Sequence, residues 1–170
     1  MSKKNKFHKI YVILSCILVV GFIIRLIYLY FLKDTVYFNP LLMDKHDQKT
    51  FIIWAQQILK HPWYVDGKPF YMAPLYPYVL AIFYRIFSGN LILVLIFQLL
   101  LDVFLCGLLF YIGKKIYNQW TGIIAAFLGC FYKTSIVYAS SVLSDSLIFF
   151  LYIFFLFFLY YALEKPNIGR

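Results

Sequence analysis

"IYVILSCILVVGFIIRLIYLYFL", residues 10–32, is apolar or weakly polar at every position but one, Arg25. A helix crosses a bilayer with about 20 such residues, so this run is long enough to span. It follows a basic start, "MSKKNKFHK", yet it outlasts the core of a secretory signal and leads to no small-x-small cleavage site. The expected element is an uncleaved transmembrane helix. The whole chain agrees: 64% of its 170 residues are hydrophobic, against about 45–50% in soluble domains. The formal charge of +9 therefore reads as Lys and Arg flanking spans, where they set orientation. It does not point to nucleic acid. Cys16, Cys106 and Cys130 all sit within apolar runs, without metal-ligand spacing or a disulfide framework.

Three further spans follow the first, giving an all-α polytopic membrane protein read as a single membrane domain over 1–170. Its spans fall at 10–32, 91–112, 121–138 and 146–163. Lys3, Lys4, Lys6 and Lys9 precede the first span. Lys114 and Lys115 follow the second, and Lys165 and Arg170 follow the fourth. All three short basic clusters fall on one side, so both termini are expected in the cytoplasm, with the plasma membrane the expected location. The long segment 33–90 is then an outer loop.

That loop is chemically loaded. Between Met43 and Arg85 it carries three aspartates, two histidines, four prolines and two tryptophans, too much for a connector. "DQKTFIIWAQQILK" sets Phe51, Ile52, Trp54, Ala55, Ile58 and Leu59 at near-helical spacing, as expected of an amphipathic helix lying in the interface. "PLYPYVLAIFYRIF" reads as a second short helix, opening on Pro74 and ending at Ser88-Gly89-Asn90.

Charges in or near spans mark function or an internal partner. Arg25 either snorkels to the outer headgroups or meets an anion, a carboxylate or a lipid phosphate. Asp102 lies four residues after Gln98 on one helix face, which suits packing inside a bundle. Asp145 opens the last span, where an acid caps a helix and also faces the side that carries Asp44 and Asp47. In "MDKHD", Asp47 is either a helix-capping residue or a carboxylate placed to accept a proton from an aqueous acceptor. His46 and His61 lie in different helical contexts and do not make a metal site.

Taken in order, these elements resemble the amino-terminal part of the GT-C superfamily of polytopic glycosyltransferases, related to protein O-mannosyltransferases and lipid A aminoarabinose transferases. The resemblance rests on Asp47 with Phe51 and Ala55 after it, on "APLYPY", on Gln98, on "GKKIYNQW" and on Asp145 in "VLSDSL". It covers almost the whole chain. This sequence differs in having Asp47-Gln48 where paired acids are common, and in Lys133 and Asp102.

The resemblance implies inverting transfer of a sugar from a polyprenyl-phosphate-linked donor to an acceptor on the outer face. It implies Asp47 as general base with Asp44 in reserve, and Asp145, Arg25, Arg85, Lys133 and His46 around the substrates. It implies no cofactor beyond the lipid-linked sugar and no divalent metal. Relatives have more than four spans, so a second membrane chain supplying further spans is an expected partner beside membrane lipids. Two other functions stay open. One is a non-catalytic scaffold or partner subunit derived from a truncated glycosyltransferase. The other is a transport component with Arg25 and Asp102 along its path.

Overall fold

A computed structural model describes residues 3–35, 47–61 and 70–164. Among these the chain is all helical. α1 spans Lys3–Leu32, α2 Asp47–Lys60, α3 Leu75–Ile86, α4 Leu91–Ile116, α5 Gln119–Phe131, α6 Lys133–Ala139 and α7 Ser144–Glu164. Three of them, α1, α4 and α7, are long and apolar enough to cross a membrane. α5 and α6 make a fourth candidate span, bent by 54° at Tyr132. The expected span at 121–138 is thus two helices meeting at an elbow. α4 runs one turn beyond Ile112, because Gly113-Lys114-Lys115 continues the helix instead of turning.

α4 is the centre, packing against α5, α7, α1, α6 and α3. Its hairpin with α5 brings backbone onto backbone. A Cβ on Gly122 would lie 2.5 Å from the Phe110 carbonyl oxygen, so only glycine fits. Small residues at a crossing allow this approach in membrane bundles. Asn118 turns the corner, its side-chain oxygen accepting from the N–H groups of Trp120 and Thr121, both at 3.0 Å. Such a cap satisfies donors that a helix start leaves orphaned. Asn90 does the same for α4, after a turn in which Ser88 (φ 52°) and Gly89 (φ 78°) are left-handed.

The apolar core has two parts. One gathers Phe51, Ile52, Ala55 and Ile58 of α2 with Tyr76, Leu80 and Ala81 of α3 and the first turns of α4. The other joins Ile10 of α1 to Phe110, Ile123 and Ala126 at the opposite end of the bundle. There Lys114 donates to the Tyr11 hydroxyl at 2.9 Å. The lysines of α4 and the start of α1 therefore share one end, and the two short helices share the other.

α2 has the expected amphipathic character, with two differences. Leu59 is exposed, and Gln48 is buried beside Phe51 and Ile52. Its partner explains the second. Gln48 Oε1 accepts from the Val142 N–H at 3.2 Å, in the turn between α6 and α7.

Candidate functional site: the α6–α7 cleft and the turn above it

The α6–α7 turn is gripped by two glutamines. Gln48 holds the Val142 N–H, while Gln98 Nε2 donates to the carbonyls of Ser141 at 3.0 Å and Ala139 at 3.3 Å. Gln98 in turn accepts from the Tyr76 hydroxyl at 2.8 Å. Two motif elements far apart in sequence, the tyrosine of "PLYPY" and the glutamine of "FQLL", are therefore one hydrogen bond. Burial is what chiefly raises the Tyr76 pKa, with the neighbouring Tyr84 and Asp145 adding to it. The phenol stays a neutral donor. Aromatic packing fixes the same corner: the Phe51 ring meets Tyr76 edge-on at 5.0 Å, and Trp54 meets Phe70 at 4.8 Å.

This network has a consequence for the acids. Asp47 is exposed in the first turn of α2, one residue from Gln48. Asp145 is exposed in the first turn of α7, three residues past Val142. The Gln48–Val142 bond thus brings the starts of α2 and α7 to one place. Among the described residues Asp145 makes no hydrogen bond or ion pair. Its carboxylate stands at the rim of a cleft of about 320 Å³ between α6 and α7.

The cleft has polar and apolar parts. Asp145, Ser146 and Thr134 line it together with the aromatic rings of Phe149 and Tyr152, and the buried Asp102 is also in its lining. From Asp145 to Tyr152 is about 10 Å along the helix axis. Ile148, Phe149 and Tyr152 are all exposed, which leaves the cleft open to the side. A space with polar and apolar parts suits a ligand with a polar head and a greasy tail.

Arg25 and Asp102 form a buried ion pair beneath it. Arg25 is wholly buried, and its Nε donates to Asp102 Oδ2 at 2.7 Å, with Nη2 also close to that oxygen. Nη1 donates to the Gly21 carbonyl at 3.0 Å and to the Cys130 carbonyl at 2.8 Å. Of the partners open to Arg25, the structure supplies a carboxylate. Snorkelling to headgroups does not occur, and the guanidinium expected near a lipid phosphate is already engaged. Asp102 Oδ1, for its part, accepts from Ser135 Oγ of α6 at 2.6 Å.

The remaining sequence candidates are dispersed. Arg85 is exposed in the last turn of α3. Lys133 is exposed at the elbow between Tyr132 and Thr134, both of which line the cleft. Asp44 and His46 lie outside the described residues. Sequence reasoning missed Gln48, Tyr76 and Ser135 as site-building residues. The last of these lies in the stretch "YKTSIVYASS", residues 132–141, whose polar side chains interrupt the apolar pattern.

These features define a helical membrane protein with two short helices braced over a lateral cleft. The family of dolichyl-phosphate-mannose-protein mannosyltransferases matches residues 67–170, more than half of the chain, and the chain belongs to it. This agrees with the GT-C resemblance read from the sequence. The match takes in Tyr76, Gln98, Asp102, Lys133 and Asp145, and begins after Asp47. No curated protein and no solved structure matches the chain.

Proposed function

We propose that this chain takes part in sugar transfer from a polyprenyl-phosphate-linked donor to an acceptor on the outer membrane face, with Asp47 as general base. The observation that carries the reading is the Gln48–Val142 hydrogen bond, which gathers the α2 start and the rim of the cleft at one end of the bundle. The donor's sugar sits near Asp145, Ser146 and Thr134, and its lipid lies along Phe149 and Tyr152. An acceptor hydroxyl reaches Asp47 from water.

In the step itself the acceptor oxygen bonds to the anomeric carbon as its proton passes to the Asp47 carboxylate. The bond from that carbon to the phosphate oxygen breaks, and the electron pair leaves on the polyprenyl phosphate. Attack from the face opposite the phosphate inverts the anomeric centre. Charge grows on the leaving phosphate, and a fixed cation nearby lowers that barrier. Lys133, between the lining residues Tyr132 and Thr134, takes this role, since Arg25 is committed to Asp102 and Arg85 lies on α3. Asp44 is the reserve base and His46 a substrate contact. No step passes through a metal or a cofactor. The basic ends of the spans put both termini in the cytoplasm and the cleft outside.

The test is transfer in membranes from radiolabelled polyprenyl-phosphate sugars at matched expression. Loss of a general base typically costs about 10²–10⁴-fold in rate, and Asp47→Asn should show a loss of that order. Asp145→Asn should act mainly on the donor KM. Equal transfer by wild type and Asp47→Asn would end the proposal for Asp47. Absence of transfer from both would favour a scaffold that needs its partner.

A further inference from the structure

The geometry points to Arg25 and Asp102 as a positioning pair that sets the elbow between α5 and α6, and with it the wall of the α6–α7 cleft. The inference rests on reading that cleft as the substrate site. Arg25 is absent from the cleft's lining and acts only through what it holds.

The argument begins with the break. α5 ends at Phe131, Tyr132 is extended (φ −70°, ψ 107°), and α6 begins at Lys133. A helix that stops leaves its last carbonyls without N–H partners. In a membrane an unpaired carbonyl is costly, and broken helices persist only where neighbours supply the missing bonds. Here the Gly129 carbonyl takes the Tyr132 N–H at 3.4 Å, and the Cys130 carbonyl takes Arg25 Nη1 at 2.8 Å. The guanidinium thus caps a helix end buried inside the bundle, where a positive charge also suits the helix dipole. Gly21 makes room for the approach: a Cβ there would sit 3.0 Å from Cys130 Sγ.

The other arm is held by the other ion. Asp102 divides its carboxylate, Oδ2 to Arg25 and Oδ1 to Ser135, one turn into the cleft side of α6. One charge pair therefore grips the end of α5 and the start of α6 at once. A pair of buried charges is strongly directional when each ion also makes hydrogen bonds. Tyr132, Thr134, Ser135, Tyr138 and Ala139 form the cleft wall on this side, so the angle of the elbow sets its width.

The residue types are specific to the task. Lys in place of Arg25 keeps the charge but is a point donor without the planar fork. It cannot hold the Asp102 carboxylate and the Cys130 carbonyl in the same geometry. Ser135→Ala removes only the α6 arm and leaves the ion pair whole. Ser135→Thr keeps the hydroxyl.

The test is a distance measurement across the elbow, in the full chain and in a Cys16→Ser background, where Cys106 and Cys130 are buried. Spin labels go on Leu128→Cys of α5 and Tyr138→Cys of α6, both exposed positions. The parent should give a narrow distribution. Ser135→Ala and Arg25→Lys should each shift or broaden it, and Ser135→Thr should keep it narrow. Unchanged distributions in both Ser135→Ala and Arg25→Lys overturn the inference. If Arg25→Lys does not fold, Ser135→Ala decides. In the transfer assay with polyprenyl-phosphate mannose, the same two variants should raise the donor KM about tenfold and move kcat by less than about threefold, as loss of donor positioning predicts. If wild type transfers nothing, the proposed function fails, while the distances still judge the elbow.

Discussion

Two polar networks cross this apolar bundle, and they are built from opposite materials. At the end that carries α2 and α3, neutral amides and a phenol link Tyr76, Gln98, Gln48 and the backbone of the α6–α7 turn. About 6 Å further along α4, the rise of the four residues from Gln98 to Asp102, a full ion pair, Arg25 and Asp102, holds a broken span. The neutral network grips a turn by its backbone, where a group can donate and accept without bringing charge into lipid. The charged network does a heavier task, replacing bonds that a helix lost at mid-bundle. Neutral knots should therefore be softened by a single deletion, whereas the ion pair should be all or nothing.

The largest effect separates the two at once. Removing one partner of a buried ion pair costs about 3–5 kcal/mol, because the other charge stays behind unpaired. Asp102→Ala and Arg25→Ala should each lower the melting temperature in detergent sharply or prevent accumulation. The double variant Arg25→Met with Asp102→Leu removes both charges and should recover much of the loss. If the double variant is no better than the singles, the cost lies in the Cys130 and Ser135 bonds and not in charge.

Gln98→Leu comes next. It strands the buried Tyr76 hydroxyl, and a stranded polar group costs about 1–3 kcal/mol. Adding Tyr76→Phe should return part of that in thermal unfolding, since the phenol no longer needs an acceptor. No recovery would mean that the turn carbonyls of Ala139 and Ser141, not Tyr76, are what Gln98 serves.

The smallest effect is absent at neutral pH. Burial pushes the Tyr84 pKa up from 10.0 to about 12, and Tyr76 moves in the same direction. A raised folded-state pKa means that the fold favours the neutral phenol. That stability is fully present below the unfolded value near 10 and is lost as pH climbs through about 12. Alkaline unfolding should therefore begin above pH 10, and Tyr84→Phe should flatten the slope. An unchanged slope would assign the alkaline limit to Tyr76.

The sequence makes the bundle plain, because long apolar runs have few other readings. The end of α3 and the start of α4 were equally legible, since Ser88-Gly89-Asn90 has turn chemistry. The elbow at Tyr132 was not. No proline or glycine marks that position, and the partner that permits the break, Arg25, lies 105 residues before the Cys130 carbonyl it caps. Asp102 was legible as a buried polar residue on the Gln98 face, but the identity of its partner needed three dimensions. Gln48 shows the same limit from the other side. Beside Asp47 it looks like a variation in a motif, and only its bond to Val142 gives it a role. Nothing local in a sequence announces which distant backbone N–H a glutamine will meet.

The order of the chain gives the elbow a further meaning, in the making of the protein. α1 and α4 precede α5 in the chain, so Arg25 and Asp102 are both synthesised before the span whose break they hold. The groups that the broken span needs, a guanidinium for the Cys130 carbonyl and a carboxylate for Ser135, are thus encoded ahead of it. A discontinuous helix is difficult to insert alone, and this chain builds the receptor for its own discontinuity two spans ahead of it.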